Sequence, residues 1–351
     1  MLITLLIFLF LLQVLYFIIE SRKVNAEEQN RFLSLFVFFI FLLLFFLKNK
    51  YFGADTINYL NEFNDYCLSP DSYEGLDYTY KIIFNIINFL MAGVCEVSWI
   101  IWIWPYFVIS VIFIALLFLK IDKFFLITLF SSFIGIELLT NAMRQGFSIA
   151  ILFVGFAFYL RKKYVLFAIL AMMSLLFHQA SVLIIFIFLV SKVSYKLLIP
   201  SMLLGVIIVF GTTILNVVPG ILSLQNAVYK YMPYASEDFI VRGISIVNIM
   251  FTFIVYLFAV RRFTVKDPQT MNWLVNIVTI CLIVSIVPYL GFRVVYGVYP
   301  LFLLLTYFSL KRHSQIAHQY LSIVTCANIL VTVMWLCGSA HMRAIPFVSL
   351  I

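Results

Sequence analysis

Long, unbroken apolar runs recur from one end of this chain to the other, and they constrain its fold more than any other feature. A helix of about 20 apolar residues is long enough to cross the hydrocarbon core of a bilayer. Apolar residues make up 65% of the 351 positions and charged residues only 11%, a composition that excludes an ordinary soluble domain. The runs are continuous rather than alternating, which favours helices over the strands of a transmembrane barrel. The sequence therefore predicts an all-α, polytopic integral membrane protein that forms a single membrane domain over residues 1–351.

The apolar runs predict about twelve transmembrane helices. We place them at 2–19, 32–50, 98–119, 124–140, 144–160, 164–177, 179–191, 197–216, 244–260, 273–290, 294–310 and 316–336. Most of the 23 lysines and arginines fall into six short loops, which the positive-inside rule assigns to the cytoplasm. Both termini then lie on the external side. The net charge of +8 reflects this orientation, and we expect no nucleic-acid partner.

Two large loops, 51–97 and 217–243, fall on the external side. Both are rich in tyrosines and carboxylates, which suit sugar rings and sugar hydroxyls; an interfacial aromatic belt with a solvated acidic surface is the alternative interpretation. The loop residues that we single out are Asp55, Tyr59, Asp77, Tyr229 and Tyr231. Within the first loop, the apolar piece 82–94 is too short to span a bilayer, so we expect a re-entrant or interfacial helix there.

Two isolated basic residues, Arg144 and His178, stand between long apolar runs in residues 136–181. An arginine near the centre of a bilayer costs roughly 2.5–3.5 kcal/mol on insertion scales, so it usually has a partner or a watery cavity. Polar residues accompany both at helical spacing and so share one helix face with them. These companions are Asn141, Gln145 and Ser148 around Arg144, and Ser174 and Ser181 around His178.

Three very short external turns each carry one basic residue, at 141–144, at His178 and at 291–293. The charge rule places all three turns on the same side as the two large loops, so Arg144, His178 and Arg293 have similar depths. We predict that they surround one cavity that is open to the outside. Tyr296, shortly after Arg293, is a further candidate for binding substrate.

This constellation suits a diphosphate, because guanidinium groups are always charged and bind phosphate oxygens in pairs. Arginines can stabilise the charge that develops on a diphosphate leaving group without a divalent metal. Histidine titrates near neutrality and suits general-base catalysis, and a carboxylate is the alternative base. The five cysteines lack metal-ligand spacing, and we expect neither metal nor cofactor. Structural alternatives remain open: Arg144 pairs with Glu137 or a lipid headgroup, His178 makes a structural hydrogen bond, and Arg293 snorkels to the interface.

Four segments of the chain, in this order, resemble the EpsG-like branch of the Wzy-type polymerases of bacterial surface polysaccharide, including O-antigen of lipopolysaccharide and exopolysaccharide. They are GADTINY (53–59), NAMRQGFSIAILF (141–153), LLFHQASVLI (175–184) and GFRVVYGVYPLFLL (291–304). The resemblance implies a multi-pass inner-membrane glycosyltransferase with its active site facing the periplasm. It would transfer a glycan from undecaprenyl diphosphate to the terminal hydroxyl of a lipid-linked repeat unit, without a metal.

Carried over by position, the resemblance implies that Arg144 and Arg293 hold the diphosphate and that His178 lies at the reaction centre. Asp55 and Tyr59 match the acidic motif of the first loop, and whether Asp55 is acid, base or sugar ligand is left open. The implied partners are an undecaprenyl-diphosphate-linked oligosaccharide, membrane lipids and a chain-length regulator.

Three other functions compete with this one. A glycosyltransferase that uses a lipid monophosphate sugar usually has a D-x-D or E-x-D motif in its first external loop, and no D-x-D occurs in this chain. A transporter or flippase of lipid-linked oligosaccharides would need a polar path to both sides and would tend to contain inverted repeats, whereas the intramembrane polar residues cluster externally. A membrane acyltransferase would place its histidine deeper or further inward.

Overall fold

The computed structural model describes residues 56–69, 78–90, 99–121, 124–140, 142–178, 180–193, 235–262, 268–285, 290–311 and 313–338. Every regular element in these ranges is a helix. In chain order they are α1 (Thr56–Leu68), α2 (Tyr78–Leu90), α3 (Trp99–Leu119), α4 (Phe124–Phe130), α5 (Phe133–Thr140), α6 (Met143–Leu160), α7 (Tyr164–Phe177), α8 (Ala180–Val190), α9 (Ala235–Arg262), α10 (Pro268–Val284), α11 (Leu290–Leu310) and α12 (Ser314–Gly338).

Three of the described helices are long and apolar enough to cross a membrane, namely Gly243–Arg261 in α9, Arg293–Leu310 in α11 and Gln315–Val333 in α12. A fourth span results if Phe133–Leu139 and Arg144–Leu160, which meet at an angle of 109°, count together as one broken span. The all-α membrane class is therefore confirmed for the described residues. The number of twelve spans stays a prediction, and the expected helices 2–19, 32–50 and 197–216 lie outside the described residues.

The expected helix over 124–140 is interrupted at Ser131 and Ser132, which separate α4 from α5. The Ser132 hydroxyl accepts the Gly135 N–H at 2.9 Å and so replaces a backbone acceptor at the start of α5. Serine side chains compete in this way with the helical backbone bonds. A pair of serines within an apolar run thus ends one helix and begins the next.

Helices also occupy parts of the two stretches that we expected to be large loops. The first stretch contains α1 and α2, and α9 begins at Ala235, within the expected loop 217–243. α2 overlaps the apolar piece 82–94 and exposes Ile82, Ile86 and Phe89 on one face. Because residues at this spacing share a face, α2 presents an apolar surface, as an interfacial helix should. Its position at the interface stays a prediction.

The described residues belong to two compact units. The first comprises Met1–Ser181 and Asn328–Ile351, and the second comprises Val182–Ala327. In the first unit α6 packs extensively against α7 and α3. The ring of Phe147 in α6 lies 4.5 Å from that of Phe107 in α3 and 4.5 Å from that of Phe177 in α7.

The break between α4 and α5 is held from the far end of the chain. The Asn328 side-chain amide in α12 donates to the Thr128 carbonyl at 2.8 Å, and the Thr332 hydroxyl donates to the Ser131 carbonyl at 2.9 Å. Carbonyls released by a helix break inside a bilayer need such protein donors, because lipid provides none. The polar side chains of α12 therefore stabilise this interruption.

In the second unit α9 and α11 run parallel, because successive contacts advance toward the C-terminus of both helices. Phe253 packs near Phe302, and further along both helices the Ser309 hydroxyl donates to the Tyr256 hydroxyl at 3.1 Å. α10 provides a donor for two carbonyls of the turn that follows α8. The Asn276 amide donates to the carbonyls of Ser191 and Val193 at 2.7 Å each.

Candidate functional site

Arg144 lies in the first turn of α6, directly after the bend that separates this helix from α5. No side chain caps the N-terminus of α6 at Ala142. Gly146 sits against the end of α5: a Cβ at this position would lie 2.1 Å from the Leu138 carbonyl oxygen. Only a glycine permits this approach, so Gly146 allows the chain to turn sharply just beside Arg144.

His178 is the C-cap residue of α7 and interrupts the helical path before α8. Its backbone is extended, with φ −159° and ψ 123°. The His178 N–H donates to the Ser174 carbonyl at 3.2 Å, and the Ser181 N–H donates to the His178 carbonyl at 3.1 Å. The backbone of His178 is thus bonded on both sides, to the last turn of α7 and to the first turn of α8.

The register between α6 and α7 places Arg144 and His178 at the same end of this antiparallel pair. Phe156 and Phe167 pack together near the other end, and Phe147 and Phe177 pack together near this one. At the level of the second pair, the Ser148 hydroxyl donates to the Ser174 carbonyl at 2.7 Å. One helical turn further toward this end lie Arg144 on α6 and His178 on α7, because helix residues four positions apart stand above one another.

A buried cluster of three serines lies directly beneath these two basic residues. Ser148, Ser174 and Ser181 are each at most 1% exposed. Besides its bond to the Ser174 carbonyl, the Ser148 hydroxyl is hydrogen-bonded to the Ser181 hydroxyl. Helical spacing predicts that these serines share helix faces with Arg144 and His178. The interhelical bonds among them were not predicted.

The two units divide the predicted site residues. Arg144, Gln145, His178 and Tyr59 belong to the first unit, and Arg293 with Tyr296 belongs to the second. Their convergence around one cavity therefore stays a prediction. The predicted site residues that fall outside the described part of the chain are Asp55, Asp77, Asn141, Tyr229 and Tyr231.

Burial differs among the predicted site residues that the structure describes. Arg144, His178 and Arg293 are half-buried. Tyr59 is 7% exposed, and Gln145 and Tyr296 are 2% exposed each. The buried residues therefore lie within the packed helices, and their role in binding sugar stays a prediction.

Two further observations concern the possible partners of Arg144 and of a metal ion. Glu137, the alternative partner of Arg144, is buried in α5, and its backbone carbonyl accepts the Ala142 N–H at 2.8 Å. Within the described ranges, no three histidine, cysteine, aspartate or glutamate side chains are grouped as metal ligands would be.

The helices and their apolar composition define a polytopic helical membrane protein with an arginine and a histidine at one end of a tightly packed helix pair. A model of the EpsG family matches residues 33–349, and the chain belongs to this family. Membership indicates a membrane protein of the polysaccharide-polymerase type that acts on a lipid-linked sugar. Searches of curated proteins and of solved structures find no match.

Proposed function

We propose that this protein is a polysaccharide polymerase that transfers a glycan from undecaprenyl diphosphate to the terminal hydroxyl of a lipid-linked repeat unit. The reaction takes place at the periplasmic face of the bacterial inner membrane and needs no metal. The observation that carries the proposal, beyond family membership, is the common position of Arg144 and His178 at one end of the α6–α7 pair. A chain-length regulator is the proposed protein partner.

Arg144 binds the diphosphate of the donor in this proposal. Its guanidinium stands in the first turn of α6, where the helix dipole also attracts an anion. The absence of a side-chain cap at Ala142 is compatible with a ligand at this helix end. Arg293, in the first turn of α11, supplies the second guanidinium.

His178 acts as the general base. Its neutral imidazole takes the proton of the acceptor hydroxyl while the oxygen forms a bond to the anomeric carbon of the donor sugar. The bond between that carbon and the diphosphate oxygen breaks with its electron pair, and undecaprenyl diphosphate leaves. The two arginines stabilise the negative charge that develops on the leaving group. Asp55 belongs to the catalytic residues in this proposal, as acid, base or sugar ligand. The proposed substrate-binding residues are Asn141, Gln145, Asp77 and the tyrosines at positions 59, 229, 231 and 296.

Two features of the first unit support the external position of this site. The turn Arg161–Lys163 is exposed at the opposite end of α6 from Arg144, and the Arg161 guanidinium donates to the Phe118 carbonyl near Lys120 at 2.9 Å. Basic turns favour the cytoplasmic side, which leaves Arg144 on the external side. Cys67 in α1 forms a disulfide, a bond that persists in oxidising compartments such as the periplasm.

The test is a gel of surface polysaccharide from a strain that lacks this gene and carries wild-type or variant copies. Arg144→Ala, His178→Ala and Arg293→Ala should each replace the ladder by a single repeat unit, since losing a general base alone costs about 10²–10⁴-fold in rate. Arg144→Lys should also fail, because an ammonium group does not bind a diphosphate through two parallel bonds.

Two exposed residues away from the site provide matched controls, namely Lys163→Ala for the arginines and His313→Ala for the histidine. Both should keep the full ladder, and immunoblots should show that all variants insert in the membrane. Ladders of wild-type length in the Arg144, His178 and Arg293 variants would refute the assignment. Loss of polymerisation upon chelation of divalent cations would instead favour a metal-dependent transferase.

A further inference from the structure

We propose that Ser148 is a positioning residue for His178, so that one hydroxyl on the helix of Arg144 sets the orientation of the base relative to the diphosphate. This inference rests on the proposed function of His178 and adds a residue to that site. Ser148 itself contacts no substrate in this proposal and acts only through the backbone around His178.

The direction of the hydrogen bonds follows from the inventory of donors. A serine hydroxyl has one proton, and Ser148 donates it to the Ser174 carbonyl at 2.7 Å. In its short bond with Ser148, the Ser181 hydroxyl must therefore be the donor. The result is a buried chain of donors that runs from Ser181 through Ser148 to the carbonyl of Ser174.

Both residues at the ends of this chain also bind the backbone of His178. The Ser174 carbonyl accepts the His178 N–H, and the Ser181 N–H donates to the His178 carbonyl. Ser148 thus connects Ser174 and Ser181, the two residues whose backbones are hydrogen-bonded to the extended His178. Both backbone bonds of the extended His178 go to these two neighbours, so in this proposal a change in their separation shifts the position of its imidazole.

Ser148 also connects the base to the arginine. Arg144 lies four residues before Ser148, which is one turn of α6, or about 6 Å along the helix axis. All three serines are shielded from solvent, so water cannot replace a lost hydroxyl bond. The distance between the guanidinium and the imidazole therefore depends on the Ser148 hydroxyl.

The chain offers a matched control in Ser174. This serine is equally buried in the same interface, but its hydroxyl donates to the Ala171 carbonyl of its own helix at 3.0 Å. Ser174→Ala consequently removes a hydroxyl without separating the two neighbours of His178. The variants Ser148→Ala, Ser148→Thr, Ser174→Ala and His178→Ala form one series.

The experiment measures turnover by the full-length protein in membranes. Its substrate is the lipid-linked repeat units extracted from a strain that lacks the gene. For Ser148→Ala we expect kcat to fall about tenfold, equivalent to about 1.4 kcal/mol, with KM changed less than about twofold. Ser148→Thr retains the hydroxyl and should recover most of the rate, and Ser174→Ala should stay near the wild-type rate.

The pH profile separates positioning from a loss of folded protein. A general base must be neutral, so kcat of the wild-type protein should fall as the pH drops through the titration of His178. In Ser148→Ala the remaining turnover depends less on the imidazole, and the acidic limb should become shallower. A mere loss of folded protein would lower the rate equally at every pH.

Three results would overturn the proposal: a wild-type rate in Ser148→Ala, equal losses in Ser148→Ala and Ser174→Ala, or a change confined to KM. A wild-type rate in His178→Ala would instead refute the proposed function of that histidine. The two failures are therefore distinguishable within the same series.

Discussion

Removing the Thr332 hydroxyl should destabilise the break between α4 and α5. In Thr332→Val the shape of the side chain is kept, but the Ser131 carbonyl loses its donor at 2.9 Å. Hydrogen bonds between helices in membrane proteins contribute about 0.6–1.7 kcal/mol. We therefore expect a loss of about 1 kcal/mol, which lowers the midpoint of thermal unfolding of a large domain by about 2–4 °C.

The measurement is the thermal loss of monodisperse protein in detergent, followed by fluorescence-detected size-exclusion chromatography. Thr252→Val is the matched control, because Thr252 is equally buried but its hydroxyl donates to the Asn248 carbonyl of its own helix at 2.7 Å. The backbone carbonyls of an intact helix keep their own N–H donors, so this variant should unfold within about 1 °C of wild type. Equal midpoints for Thr332→Val and wild type would show that α12 does not support the break.

Two further substitutions probe other close contacts in the same assay. Gly146→Ala should lower the free energy of unfolding by about 1–3 kcal/mol, because its Cβ would meet the Leu138 carbonyl at 2.1 Å, whereas Gly243→Ala, with open space around its Cβ, should be tolerated. Asn276→Ala should lower the free energy of unfolding by about 1–3 kcal/mol, since two carbonyls in the turn after α8 lose its amide. Thr279→Ala, one turn later in α10, removes only an intrahelical bond and should cost less. Unchanged midpoints for Gly146→Ala or Asn276→Ala would contradict the corresponding contact.

Much of the helical architecture was predictable, because an apolar segment in lipid must satisfy its backbone within a helix. The expected helix 164–177 coincides with α7. The expected helix 144–160 ends where α6 ends and differs from it only by starting one residue later. The family was also predictable from the four short segments and their order, and the match over residues 33–349 confirms it. The break at Ser131 and Ser132 was not predictable, because two serines in an apolar run are equally compatible with a continuous helix.

The candidate site was predictable as a set of faces, but its contacts were not. Helical spacing indicated that Ser148 shares a face with Arg144 and that Ser174 and Ser181 share one with His178. It contained no information about which hydroxyl bonds to which carbonyl, since that depends on the rotation and register of two packed helices. No pattern in the sequence indicated the hydrogen bonds of Asn328 and Thr332, because the carbonyls that accept them lie 200 and 201 positions earlier in the chain.

The amino-acid sequence by itself determined that this chain is a helical membrane protein of the EpsG family, with an arginine and a histidine at interruptions of its apolar runs. Hydrophobicity and helical period are local properties, so they can be read along the chain. Only the tertiary structure decided that Arg144 and His178 share one end of a helix pair and that Ser148 connects the residues on both sides of His178. Such contacts depend on packing between segments, and no single segment encodes them.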